Sequence, residues 1–148
     1  MNLKKALTKH TVCLSLQAKT KDAVIEEMID LLNSAGKLKD RKAALRAVMD
    51  REKKMSTGMQ YGIAIPHGKS ESVDGLVAAV GMHKQGIDFD SVDHQPSRIF
   101  IMTVSPVNRT GPHIQFLAEI SRLLHEESVR NELLNATSED QVIEILTR

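Results

Sequence analysis

The chain of 148 residues is 41% hydrophobic and 26% charged, which suits one ordinary domain with a real core and excludes disordered and membrane classes. Its 20 basic and 19 acidic residues leave a net charge of +1, so no strongly charged partner is implied. With aromatics at 3% and no tryptophan, the stacking platforms of a nucleic-acid binder are missing.

The N-terminal apolar stretch stops at Ala6-Leu7 and is followed by Thr8-Lys9-His10, too short for a signal peptide, and no run approaches a membrane span. Lys4, Lys5 and Lys9 read as a solvated helix face. Val12, Leu14 and Leu16 alternate with Cys13 and Ser15, which predicts a short half-buried strand. Cys13 is the one cysteine, so an intramolecular disulfide is impossible and a sulfur-ligated metal site is disfavoured. Thr20 then caps a helix whose stripe is Val24, Ile25, Met28, Ile29, Leu31 and Leu32, with Gly36 as its C′ residue. Asp40 caps a second helix, with Ala44, Leu45, Val48 and Met49 facing inward, that runs out near Lys54.

Ile63-Ala64-Ile65 reads as a strand fragment, and Leu76–Met82 and Ile99–Val104 as interior strands covered on both faces. Because Leu76–Met82 and the strand near residue 100 are joined by a loop with Gly86 and Pro96 rather than by a helix, the sheet is expected to be mixed. Gly111-Pro112 opens a helix, Gly111 as N-cap, with Ile114, Leu117, Ile120, Leu123 and Leu124 as its buried face. A short helix at Val129–Leu134 and a last one after a Ser138-Glu139-Asp140-Gln141 capping box complete the chain. The predicted class is α/β: a single mixed sheet flanked by helices on both faces, residues 1–148 forming one domain.

The segment Ser56–Lys69 is the most informative stretch. It holds three glycines, and His67 lies between Pro66 and Gly68. Proline presets φ and glycine leaves space beside the backbone, which suits an imidazole that accepts a bulky group. An ordinary surface-turn histidine has the same frame, and composition alone leaves both readings open. Gly68-Lys69-Ser70 tempts a phosphate-loop reading, but the glycine required five positions before Gly68 is Ile63, so the register of backbone amides is lost and nucleotide binding is rejected. The six histidines show no i, i+4 pair around a carboxylate, which leaves no metal expected, and no G-x-S-x-G elbow marks a hydrolase. His10, His83, His94 and His125 adjoin polar residues and are expected to be solvated.

His113 differs, since the predicted helix start puts it in a first turn, where unpaired amides attract anions. Together with His67 and with Arg51 near the loop, it would make a small phosphoryl site. One imidazole would attack, and the other, with the guanidinium, would stabilise the outer oxygens. Taken alone, Arg51 is a solvated helix charge.

Arg51-Glu52, Ser56-Thr57-Gly58 and Gly62-Ile63-Ala64-Ile65-Pro66-His67-Gly68 together resemble the signature of the fructose/mannitol-type enzyme IIA family of the bacterial phosphoenolpyruvate-dependent sugar phosphotransferase system, which includes the nitrogen-regulatory IIA proteins. Pro112-His113, then Leu117-Ala118-Glu119-Ile120 and Leu123-Leu124, look like its second histidine segment, so the resemblance spans nearly the whole chain. It implies a cytoplasmic phosphocarrier in which His67 takes a phosphoryl group from HPr or an HPr-like carrier and passes it to a IIB component. His113 and Arg51 would match the supporting residues, with no ATP, cofactor or metal at this step and no membrane insertion. Met59-Gln60-Tyr61 and Asn108-Arg109-Thr110 depart from the family pattern where a partner would dock. A chain ending at Arg148 without fused IIB or IIC parts is expected to tilt slightly toward a free-standing regulator; the rival to the phosphocarrier reading is a nitrogen-regulatory-type module whose His67 phosphorylation gates partner binding.

Overall fold

The computed structural model describes residues 3–109 and 111–148. After a helical turn, α1 (Leu3–Ala6), and a 3-10 turn (Lys9–Thr11), the chain forms β1 (Val12–Cys13), α2 (Lys21–Ser34) and α3 (Arg41–Lys54). β2 (Ile63–Ala64), β3 (His67–Lys69), β4 (Val77–Ile87) and β5 (Ser97–Ser105) follow, and then α4 (Gly111–Leu124), α5 (Glu127–Leu134) and α6 (Glu139–Leu146). β4 and β5 are antiparallel and central; β1 lies parallel to β4, while β2 and β3 lie one after the other parallel to β5. The mixed sheet is the one expected from the loop between its two long strands.

Strand alternation sorts the core into two layers. Ile99 and Ile101 of β5 pack with Phe116, Ile120 and Leu124 of α4 and with α6. Phe100, Met102 and Val104 point the other way, onto Val24, Met28 and Leu32 of α2 and Ala44 and Val48 of α3. Helices therefore cover both faces. The Thr20 hydroxyl accepts from the Ala23 amide at 3.2 Å and the Asp40 carboxylate from the Ala43 amide at 3.1 Å, as a capped start requires. Gly36 follows the end of α2 with φ +73° and donates to Asn33, the expected left-handed C′ position.

Four expectations change. The first strand pairs only through Cys13: the chain bends at Leu14-Ser15, so Val12 joins the α4 layer while Leu16 crosses to the α2 layer and covers Gly81. α4 is helical from Gly111 itself, and its stripe is His113, Phe116, Ile120 and Leu124, leaving Ile114 65% exposed. Aliphatic residues on both flanks made two phases of the helix look equally apolar, and the packed one carries His113 inward. His83 is buried, donating from Nε2 to the Ala18 carbonyl at 2.8 Å and accepting from the Gly86 amide at 3.0 Å. Before α6, Ser138 caps as expected, but the Gln141 side chain reaches back to Thr137 rather than to the Ser138 amide.

β3 was not expected, and it owes its place to Gly68. A methyl group there would meet the Val48 amide nitrogen at 2.8 Å and the Ala47 carbonyl carbon at 2.9 Å, so the backbones of β3 and α3 approach as only glycine permits. Gly68→Ala is expected to destabilise the protein by about 1–3 kcal/mol through overpacking. Gly75→Ala, where nothing lies within 4 Å, should stay within about 0.5 kcal/mol. Urea midpoints of the two variants test the contrast, and equal midpoints would refute it.

Candidate active site

A buried carboxylate sets the loop that leads to the site. Glu52, on the last turn of α3, accepts from the Thr57 amide at 2.8 Å and from the Thr57 hydroxyl at 2.6 Å, and it pairs with Lys21 Nζ at 3.0 Å. A carboxylate out of water demands such partners, and in meeting them it pins the chain as it leaves the helix. Thr57 then accepts from the Ile65 amide, and Met59 donates to Ile63, so the segment folds back on itself. Its tip has two successive left-handed residues, Tyr61 at φ +66° and Gly62 at φ +75°. Glycine is at ease there, whereas tyrosine is held by Arg130, 4.5 Å above its ring, and by the edge of His125.

Pro66 interrupts the edge strand between β2 and β3, since it has no amide to donate, while its carbonyl accepts from Thr103 at 3.1 Å. His67 then pairs with Thr103, Gly68 with Val104 and Lys69 with Ser105. Gly68 lies against α3, so His67 and Lys69 face the opposite layer, toward the start of α4. His113, third residue of α4 and 7% exposed, meets His67 there: the ring centroids are 4.8 Å apart, with planes 48° apart. Thr103 Oγ1 lies 3.3 Å from His113 Nδ1.

The His67 tautomer follows from a single bond. Nδ1 is 2.9 Å from the Ile65 carbonyl, which can only accept, so the proton is on Nδ1 and the lone pair is on Nε2. Burial pushes the His67 pKa below its ordinary value; the Ile65 bond opposes this, and the charges of Arg51 and Lys69 add to it. His113 is lowered further, to about 4, by burial first and then by His67 and Lys69. Near neutral pH the site therefore presents two uncharged rings, one with an available nucleophilic nitrogen.

Arg51 is not in a hydrogen bond with either ring. Its guanidinium donates to the Met55 carbonyl at 2.8 Å and reaches His67 through its charge. Beside the histidines, an apolar groove of about 270 Å³ runs between the 57–65 segment and α4, lined by Met59, Tyr61, Ile63, Ile65, Ile120 and Leu124 among others. Among the described residues no group of three or more His, Cys, Asp or Glu side chains is placed to hold a metal. His10, His94 and His125 are exposed and lie outside this pair. Sequence reasoning missed Thr103, Lys69 and the anchoring role of Glu52; only the spacing of His67 and Lys69, alternate residues of one strand, hinted at a shared face.

The chain belongs to the family described as "Phosphoenolpyruvate-dependent sugar phosphotransferase system, EIIA 2", whose model matches residues 5–148. It is 41% identical over 148 residues to the fructose-specific EIIABC component of Bacillus subtilis, covering all of this chain but only 23% of that protein. Its fold is similar to the nitrogen regulatory protein IIA-Ntr of Neisseria meningitidis, with a TM-score of 0.87 and 26% identity over 98% of this chain and 99% of that one. It is also similar to a mannitol enzyme IIA of Escherichia coli, solved in complex with phosphorylated mannitol enzyme IIB, at TM-score 0.81 and 26% identity over 95% and 96% of the two chains.

The two lowered histidines make stability depend on pH with a definite sign. The unfolded chain takes up protons below the ordinary value of 6.5, whereas folded His113 resists protonation until about 4. Stability should therefore fall with falling pH across that window, by up to about 1.4 kcal/mol per pH unit for each such group. Urea unfolding at pH 7, 6 and 5 should show the loss, and His113→Gln should flatten it. Equal slopes in the two proteins would show that His113 is not held neutral by the fold.

Proposed function

From its membership of the EIIA 2 family, we propose that this chain is a phosphohistidine phosphocarrier of the sugar phosphotransferase system, taking phosphoryl from HPr or an HPr-like carrier onto His67 and passing it to a IIB component. The observation that carries the proposal is the fixed His67 tautomer: a proton anchored on the Ile65 carbonyl and a lone pair on Nε2, beside a second neutral ring. In the transfer, the electron pair of Nε2 forms the new P–N bond as the donor's P–N bond breaks and its electrons return to the donor's ring nitrogen. The Nδ1 proton stays where it is. His113 and the charge of Arg51 stabilise the outer oxygens, and neither ATP, cofactor nor metal takes part in this step.

The apolar groove beside the site is where a carrier protein would seat, excluding water from a labile P–N bond. The chain would act as one domain in the cytoplasm; among the described residues no helix is long and apolar enough to cross a membrane. A IIB partner is supported by the mannitol relative solved with one, and fructose as the sugar by the Bacillus relative. The likeness to the nitrogen regulatory protein supports a second reading, in which the phosphorylation state of His67 gates binding to a regulatory partner.

Incubation with phosphoenolpyruvate, enzyme I and HPr should add one acid-labile, base-stable phosphate, and His67→Ala should abolish it with a native circular dichroism spectrum. Full labelling of that variant would sink the assignment. His113→Ala should still be phosphorylated, but about 10²–10³ more slowly, the usual loss when a preorganised stabilising donor is removed.

Carrier and regulator part at the next step. A cognate IIB protein should discharge phospho-His67 far faster than hydrolysis does. Met59→Asp or Tyr61→Asp, both on the groove and half-exposed, should slow that discharge by weakening docking while the fold stays intact. If no IIB protein of the host discharges it, and the two phosphorylation states bind some other protein with different affinity, the regulatory reading prevails.

A further inference from the structure

At the end of β5, beside the histidine pair, a buried hydroxyl is left over. Ser105 is 1% exposed, and its Oγ has no hydrogen-bond partner among the described residues. Its carbonyl is already used, accepting from the Ser70 amide at 2.9 Å. Leaving a hydroxyl buried and unpaired is costly, and such groups in native proteins call for an explanation.

The strand register says where this hydroxyl stands. Ser105 follows Thr103 by two residues and so shares its face of β5, the face that meets His113. Across the ladder, His67 pairs with Thr103 and Lys69 with Ser105. These four side chains make a two-by-two tile facing the start of α4. Lys69 is exposed and forms no ion pair among the described residues, yet its positive charge is felt at both imidazoles.

We propose that Ser105 Oγ and Lys69 Nζ are ligands of the phosphoryl group on His67, the hydroxyl from the buried floor and the ammonium from the solvent side. The proposal rests on the phosphocarrier reading and adds to it the groups that would hold outer oxygens which His113 does not reach. A phosphoryl group brings acceptor oxygens and close to two negative charges, which suits one neutral donor and one cation. Neither residue forms a bond to phosphorus or gives up a proton during the transfer. Ser105 and Lys69 act as direct ligands of the dianion that Nε2 carries.

The test starts from purified phospho-HPr and follows phosphate arriving on His67 in the wild type, Ser105→Ala, Ser105→Thr, Lys69→Gln and Lys69→Arg. Wild-type labelling checks the phosphocarrier reading, and its failure overturns that reading and this one together. Given a labelled wild type, Ser105→Ala and Lys69→Gln should each be phosphorylated about tenfold more slowly, with the concentration of phospho-HPr at half-maximal rate unchanged and the ³¹P resonance of phospho-His67 displaced. Ser105→Thr and Lys69→Arg should restore rate and resonance toward the wild type. Stability separates this role from a structural one. Removing an unpaired buried hydroxyl should leave the urea midpoint of Ser105→Ala equal or higher, and Lys69→Gln, at an exposed site without an ion pair, should leave it unchanged. Either variant phosphorylated at the wild-type rate with an unmoved ³¹P resonance would overturn the assignment of that residue, and a Ser105→Ala rate loss matched by a lowered midpoint would overturn it for Ser105.

Discussion

The backbone of α3 runs so close to β3 that position 68 has no room for a side chain, and the geometry of the site follows from that contact. With Gly68 turned onto α3, pleating sends His67 and Lys69 to the far side of the sheet. There they meet the end of β5 and the first turn of α4. Parallel pairing of β3 with β5 also brings His67 to the carboxyl end of its strand neighbour, where the chain leaves the sheet and the amide end of a helix turns back toward it. His67 is thus held by a ladder and a packed helix rather than by a loose loop.

Two buried polar groups do the rest of the positioning, in opposite ways. Glu52 is fully engaged, with three polar contacts to Thr57 and Lys21, and breaking a buried ion pair of this kind typically costs about 3–5 kcal/mol. That makes the approach to Ile65 rigid, and Ile65 supplies the carbonyl that fixes the His67 proton. His113 is engaged only weakly, through one long contact with Thr103. It is buried because it occupies a position in the apolar stripe of α4, and its ring is kept neutral mainly by that burial. A ring in this condition has hydrogen-bonding capacity in reserve for a negative group arriving beside it.

Much of the fold was legible because its signals were local. Caps at Thr20, Asp40 and Ser138 and the long strands near residues 80 and 100 are written in short stretches of sequence, and so is the Pro66-His67-Gly68 frame. The expected helix start at Gly111-Pro112 brought His113 and Arg51 toward His67; in the structure the two rings lie 4.8 Å apart with planes tilted by 48°, while Arg51 is turned to the Met55 carbonyl. What stayed hidden depended on register. β3 is three residues long inside a segment of turn-forming residues, and only its pairing with β5, more than thirty positions away, makes it a strand. Thr103 looked like part of an apolar run and Ser105 lay just beyond it, because which face each occupies is invisible without the ladder. Glu52 resembled any charge on a helix rich in charges, since nothing local says that Thr57 and Lys21 will close around it. The α4 phase failed for a related reason: a histidine was not counted among residues that pack.

Pro66 has one more consequence, for what this surface refuses to do. A sheet edge with regular, unpaired amides invites a strand from another chain to add to it. Here the outer side of β2 is already occupied by the protein's own Thr57–Met59 backbone, through the Gly58–Ala64 bridge and the bonds at Ile65 and Met59. Beyond Pro66 only three residues of edge remain. The break that swings the histidine into position therefore also denies a neighbouring molecule the template it would need to zip on. An apolar groove can thus stay open beside this edge without the exposure turning into fibrils or strand-exchanged dimers.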